Sequence, residues 1–101
     1  MNAVRFSIVT PVYNGETTIA RTIQSVLDQT ELPYEYNIVD GGSADRTVEI
    51  CNSYREQFDN KGIRYQVISE KDQGIYDGMN KGIRRSSGDF IGIINADDWY
   101  E

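Results

Sequence analysis

Residues 5–30, RFSIVTPVYNGETTIARTIQSVLDQT, carry two different periodicities back to back. The first part is a run of apolar and β-branched residues closed by Pro11. It predicts a buried strand over about residues 5–10. Beyond Gly15 the pattern changes. Ile19, Ile23, Val26 and Leu27 fall at i, i+4, i+7 and i+8, on one face of a helix that Leu32-Pro33 ends. The remaining sequence repeats this alternation. EYNIVD predicts a second strand over about 35–39, stopping at Asp40-Gly41-Gly42. Ser43 suits the cap of a second helix, with Asp45 near its positive end. Val48, Cys51, Tyr54 and Phe58 give that helix its apolar stripe. IRYQVIS is a third strand, over about 63–69. DQGIYDGMNKGIRRSSG is a third helix, with Ile75, Met79 and Ile83 spaced by four. Arg84 and Arg85 suit its last turn and Gly88 its stop. FIGIIN is a fourth strand, over about 90–95.

Strand and helix alternating in this way (βαβαβαβ) imply an α/β domain, with a mainly parallel, twisted sheet and helices on both faces. Right-handed crossovers are expected between its strands. Ligands in such sheets bind beyond the carboxyl ends of the strands, where the strand order reverses. Those ends here carry Thr10-Pro11-Val12-Tyr13-Asn14, Asp40-Gly41-Gly42-Ser43, Glu70-Lys71-Asp72 and Asn95-Ala96-Asp97-Asp98. Polar, acidic and small residues gather on one edge, and the opposite strand ends are plainer.

The totals narrow the chemistry. The 101 residues suit one small domain, and 39% hydrophobic with 26% charged residues is a globular balance. No apolar run approaches the roughly 20 residues of a membrane span. The first residues lack the charge and apolar run of a secretory signal, so a cytoplasmic setting is expected. A net charge of −6 argues against nucleic acid as a partner. It allows a small anionic ligand if a cation bridges the charges. Cys51 is the single cysteine; a small buried hydrophobe is its expected role, set against that of a reactive thiol. Histidine is absent, which removes His-based zinc sites, Ser-His-Asp triads and Cys-His dyads. Acid–base or metal chemistry must therefore use carboxylates.

Asp97 and Asp98, leaving a strand, could hold one hard cation against phosphate oxygens, since Mg²⁺ favours one or two carboxylates plus substrate phosphate. They could equally be two acids on a solvated turn. Asp40 could accept a hydrogen bond from a base or could simply be a turn residue. Tyr13 could stack on a base or be an ordinary loop tyrosine. Asp72 is a natural N-cap for the third helix, and Asn80 lies on that helix away from Ile75 and Ile83. Neither G-x-G-x-x-G after the first strand nor G-x-x-x-x-G-K-[ST] occurs, which disfavours dinucleotide-dependent dehydrogenases and P-loop enzymes. A nucleotidyltransferase reading lacks its glycine-rich first loop.

In order, SIVTPVYNGETTIARTIQSVLDQT, NIVDGGSADRTVEI and EKDQGIYDGMNKGIRRSSGDFIGIINADD strongly resemble the N-terminal half of family 2 glycosyltransferases of the Rossmann-like GT-A fold. The resemblance runs from about Phe6 to Asp98. It implies that Pro11, Val12, Tyr13 and Asn14 line a nucleotide pocket and that Asp40 hydrogen-bonds the base, usually uracil. It implies that Asp72 and Asn80 lie near the sugar-phosphate, with Ala96 and Asp97 also on the nucleotide side. Asp98, assisted by Asp97, would hold Mn²⁺ or Mg²⁺. The metal motif, commonly Asp-x-Asp, begins here with Asn95, and Asp-Gly-Gly-Ser stands where many relatives have Asp-Asp-Gly-Ser.

The implied activity is metal-dependent, inverting transfer of a sugar from a nucleoside-diphosphate-sugar, expected to be a UDP-sugar, to a hydroxyl of a saccharide or lipid-linked saccharide acceptor. Cell-surface polysaccharide synthesis is the expected setting, at the inner face of the membrane in the full-length protein. Family members continue well past this length, and the general base is expected downstream, so none is assigned. Residues 1–101 are thus expected to be a single truncated domain that keeps donor binding and lacks the acceptor part. A non-catalytic nucleotide-binding or interaction module is the alternative. FIGIINADD would leave an apolar sheet edge, with self-association through it as the expected consequence.

Overall fold

The computed structural model of the chain describes residues 5–71, 83–84 and 90–94. The described elements run β1 (Phe6–Val12), α1 (Ile19–Leu27), β2 (Glu35–Asp40), α2 (Thr47–Ser53), α3 (Arg55–Asn60), β3 (Arg64–Ser69) and β4 (Phe90–Ile93). All strand pairs are parallel, in the order β3-β2-β1-β4. The α/β class and the parallel sheet are as the sequence predicts. The direction of winding reverses between β1 and β4, which makes the end of β1 the switch point. The predicted third helix lies outside the described residues except for Ile83 and Arg84, which are helical. No helix among the described residues is long and apolar enough to cross a membrane.

β1 runs two residues further than expected, through Pro11 to Val12. Odd-numbered residues of β1 face β4: the carbonyls of Arg5 and Val9 accept from Phe90 and Ile94. Even-numbered ones face β2, as the Phe6 and Val12 carbonyls do. The absent N–H of Pro11 therefore points to the β4 side, where register ends at Val9 with Ile93. Proline is harmless in a strand where no partner awaits its N–H.

Strand alternation puts Ile8, Val12, Tyr36, Ile38 and Tyr65 on one face of the sheet. Ile19, Ile23, Val26 and Leu27 of α1, Cys51 of α2 and Phe58 of α3 close over them as a single core. The Phe58 ring stacks on Tyr65 at 4.3 Å between centroids and meets Tyr36 at 5.5 Å. Such aromatic pairs add to plain area burial. The predicted second helix is divided at Tyr54. The Ser53 hydroxyl donates to the Ile50 carbonyl at 2.6 Å, and the Tyr54 amide bonds Cys51 instead. A serine bonding back to the preceding turn competes with the helix ladder in this way. Cys51 is buried, and burial, helped by the charge of Asp40, pushes its thiol up to about 12. That fits the small-hydrophobe reading.

The other face of the sheet is unexpectedly polar. Ser7, Glu35 and Asn37 are fully buried at the amino ends of β1 and β2. The Ser7 hydroxyl donates to Glu35 at 2.7 Å, and the Arg64 guanidinium lies 3.6 Å from the other carboxylate oxygen. A buried carboxylate persists only with partners of this kind.

Candidate functional site

Three strand exits meet at the carboxyl edge of the sheet. The Val12 carbonyl accepts from Gly41 at 2.9 Å, and the Asp40 carbonyl accepts from Glu70 at 3.0 Å, so the ladder binds the first residues of each loop. Gly42 has φ +90°, and a Cβ there would come within 3.2 Å of the Lys71 backbone. The Asp40-Gly41-Gly42-Ser43 turn can therefore pass close over the exit of β3 only with glycine at position 42.

Asp40 organises this turn. One carboxylate oxygen accepts from the amides of Gly42 and Ser43, at 3.0 and 2.9 Å, and from the Ser69 hydroxyl at 2.8 Å. The other accepts from the Ser43 hydroxyl. The side chain is fully buried. The expectation that Asp40 meets a base directly thus encounters a carboxylate already engaged by four donors. Its visible work is to hold the turn. Ser69, at the end of β3, belongs to the same group and went unnoticed in the sequence, because a serine closing a strand has no distinctive spacing.

The β1–α1 loop is fastened to the β2–α2 loop by consecutive amides. Asn14 N–H donates to Ser43 Oγ at 2.6 Å, Gly15 N–H to Thr47 Oγ1 at 2.8 Å, and Glu16 N–H to Asp45 Oδ2 at 3.2 Å. Two bonds return: Ala44 N–H donates to Asn14 Oδ1 at 2.8 Å, and Arg46 N–H to Glu16 Oε1 at 2.9 Å. Asn14 takes φ +50°, a left-handed conformation that asparagine tolerates. Ser43, expected as a helix cap, instead joins Asn14 to Asp40. The cap position of α2 is Arg46, and Asp45 just before it accepts from both the amide and the hydroxyl of Thr47, the first helical residue. Partial burial opposes ionisation of Asp45, but the Thr47 and Glu16 donors outweigh it and hold its carboxyl below the ordinary value. Because the amides of residues 14–16 are engaged by side chains, they are not free to cradle a phosphate as a P-loop does.

The expected pocket residues separate by face. Val12 is packed in the core, so anything it offers a ligand is backbone; Pro11 is buried on the opposite face. Tyr13 is 63% exposed at the switch point and presents its ring outward. Asn14 is exposed but tied to the neighbouring loop. Asp72, Asn80, Ala96, Asp97 and Asp98 lie outside the described residues. β4, which leads to the last three, is anchored beside β1 by Ile94 N–H donating to the Val9 carbonyl at 3.0 Å. Among the described residues there is no group of three or more acids and cysteines able to hold a metal.

A conserved-family model described as glycosyl transferase family 2 matches residues 7–101. The chain belongs to the family 2 glycosyltransferases. It is 39% identical over 101 residues to a putative glycosyltransferase, EpsH, of Bacillus subtilis, covering all of this chain and 28% of that protein. It is 36% identical over 98 residues to a PGL/p-HBAD biosynthesis glycosyltransferase of Mycobacterium tuberculosis, covering 97% of this chain and 37% of that protein. The chain thus spans little more than a third of such relatives at most. The structure of residues 1–349 of TarS from S. aureus in complex with UDP superposes with a TM-score of 0.79, at 26% identity over 93% of this chain and 28% of that one. A mannosyltransferase of Pyrobaculum calidifontis, solved with GDP-Man and Mn²⁺, superposes with a TM-score of 0.81 at 23% identity, over 92% of this chain and 27% of that one. At that identity the likeness speaks to the fold alone. The fold is that of the GT-A, Rossmann-like glycosyltransferases.

Proposed function

We propose that this chain forms the donor-nucleotide half of a glycosyltransferase and binds the nucleoside diphosphate of a nucleotide-sugar, UDP in preference, at the carboxyl edge beside β1. The observation that carries this is the meeting of three strand exits at the carboxyl edge, with the loops after β1 and β2 hydrogen-bonded to each other and the exposed Tyr13 ring beside a glycine-containing turn. An exposed aromatic face offers stacking to a base, and the fixed turn offers backbone groups at its edge. UDP bound to the TarS structure is consistent with that choice of nucleotide.

The diphosphate would be held through a divalent cation, Mn²⁺ or Mg²⁺, with Asp98 as the main ligand and Asp97 assisting. Two carboxylates without histidine form a hard-oxygen donor set suited to such ions. The cation would also answer the net charge of −6, which alone would repel a diphosphate. Asp72, Asn80 and Ala96 would serve the sugar-phosphate side. The whole protein would transfer the sugar with inversion to a hydroxyl of a saccharide or lipid-linked acceptor in surface polysaccharide assembly, on the cytoplasmic side of the membrane. The general base would come from residues beyond this chain, so the 101 residues alone would bind donor without turning it over.

Calorimetric titration with UDP, with and without Mn²⁺, tests this. Binding that strengthens with Mn²⁺ and loses that gain in Asp98→Ala is expected. Equal affinity with and without metal would remove the acids from the assignment, and no binding by the folded chain would overturn the donor-site reading.

A further inference from the structure

The fastening of the two loops is asymmetric in a way that suggests its purpose. Asn14 and Glu16 each donate their backbone N–H to a side chain of the β2–α2 loop and accept, on their own side chain, a backbone N–H from that loop. Gly15, between them, donates to Thr47 and could not carry a side chain, since a Cβ would lie 2.7 Å from Val12 Cγ2. The residue next to this ladder on its amino side is Tyr13. The residue joined to it through Ser43 is Asp40, by way of Asn14 N–H to Ser43 Oγ and Ser43 O–H to the carboxylate. The ladder therefore fixes where the backbone that carries the Tyr13 ring stands relative to the turn that Asp40 holds.

Both Asn14 and Glu16 are exposed. Exposed hydrogen bonds contribute little to overall stability, so four of them, beside the buried Gly15–Thr47 bond, point to a need for fixed geometry. A pocket wall already ordered before binding does not lose that freedom when the ligand arrives.

The geometry points to Asn14 and Glu16 as positioning residues for the donor nucleotide: they lock the β1–α1 loop to the β2–α2 loop and so set the gap between Tyr13 and the Asp40 turn. This rests on the donor-site reading above. Their side chains act on the ligand through Tyr13 and the turn.

The test is UDP affinity of the 101-residue chain, with near-ultraviolet circular dichroism recording folding at the same temperature. Asn14→Ala removes the Ala44 acceptor and the tolerance for a left-handed backbone, and should weaken UDP about tenfold. Asn14→Gly keeps the backbone freedom and loses only the acceptor, and should fall between. Glu16→Ala should weaken UDP about threefold, while Glu16→Gln, which keeps an oxygen to receive Arg46 N–H, should restore it. Phe58→Leu lowers stability from the far side of the core and should leave affinity unchanged, separating positioning from general destabilisation. Wild-type affinity in folded Asn14→Ala and Glu16→Ala would overturn the positioning role and leave the donor site standing. Equal losses in Glu16→Gln and Glu16→Ala, or a loss in Phe58→Leu matching its drop in stability, would also overturn it. Absence of UDP binding by the wild-type chain would instead overturn the donor site, and the positioning role with it.

Discussion

Asp45 shows how a single carboxylate reports on the loops. Its carboxyl lies below the ordinary value of 3.8 because Thr47 and Glu16 donate to the charged form. A carboxyl depressed on folding adds stability that is fully present above its unfolded value and disappears as pH falls through the folded one. Asp45→Asn keeps an oxygen for Thr47 but places an amide against Glu16 N–H. The stability gap between wild type and Asp45→Asn should hold steady above about pH 5 and close below 3.8 in urea melts at a series of pH values. A gap that persists to the lowest pH would show that the charge is not what matters. Cys51 makes a second residue-scale prediction. Its buried thiol, pushed up to about 12, should react with a disulfide reagent at neutral pH only as fast as the protein opens. Rapid labelling of the folded chain would contradict its burial. Glu35 is the residue the sequence concealed. Inside EYNIVD it looks like the polar end of a strand, yet it is fully buried with Ser7 and within reach of Arg64. Only the register of Ser7 with Glu35 and of Glu35 with Arg64 brings these three together, and register is not written in any one segment.

At the scale of elements, α3 depends on one ring. Phe58 is fully buried and stacked on Tyr65, and Ile63 N–H closes back onto its carbonyl at 3.0 Å. Phe58→Ala should cost about 3–5 kcal/mol, the usual loss for a buried aromatic, in a denaturant melt. A loss under about 1 kcal/mol would mean that α3 is not held by this contact. Periodicity made the elements themselves legible. Ile19, Ile23, Val26 and Leu27 all face the core, as their spacing predicts. It was less informative at their ends. β1 passes through Pro11 because the N–H that proline lacks points to the β4 side beyond the last described pair, Val9 with Ile93. The second helix yields at Tyr54 because Ser53 captures a carbonyl, and Asp45, not Ser43, receives its first amide because Ser43 is drawn toward Asp40. Each of these depends on a contact between segments, which local sequence cannot show. The strand exits were legible as the place where polar and small residues gather; that Asp40 is engaged in holding its own turn was not.

At the scale of the molecule, the sheet of described strands has two edges that differ in character. β3 ends the sheet with Arg64 exposed and Gln66 half-buried, whereas β4 exposes Phe90 at 66%, Ile91 at 38% and Ile93 at 40%. An open apolar edge invites a further strand. We expect a second copy to supply it at high concentration, seen as a rising mass in sizing with light scattering. A monomer at every concentration would contradict this, and Ile91→Lys should suppress any rise. The central claim is that the nucleotide sits at the carboxyl edge beside β1. Amide chemical-shift mapping of the ¹⁵N-labelled chain during UDP titration tests it most directly. The account predicts shifts concentrated at Tyr13, Asn14 and Gly41–Ala44, with residues at the amino ends of the strands, such as Ser7 and Glu35, unmoved. Shifts gathered at those amino ends, or on the helical face away from the loops, would contradict it.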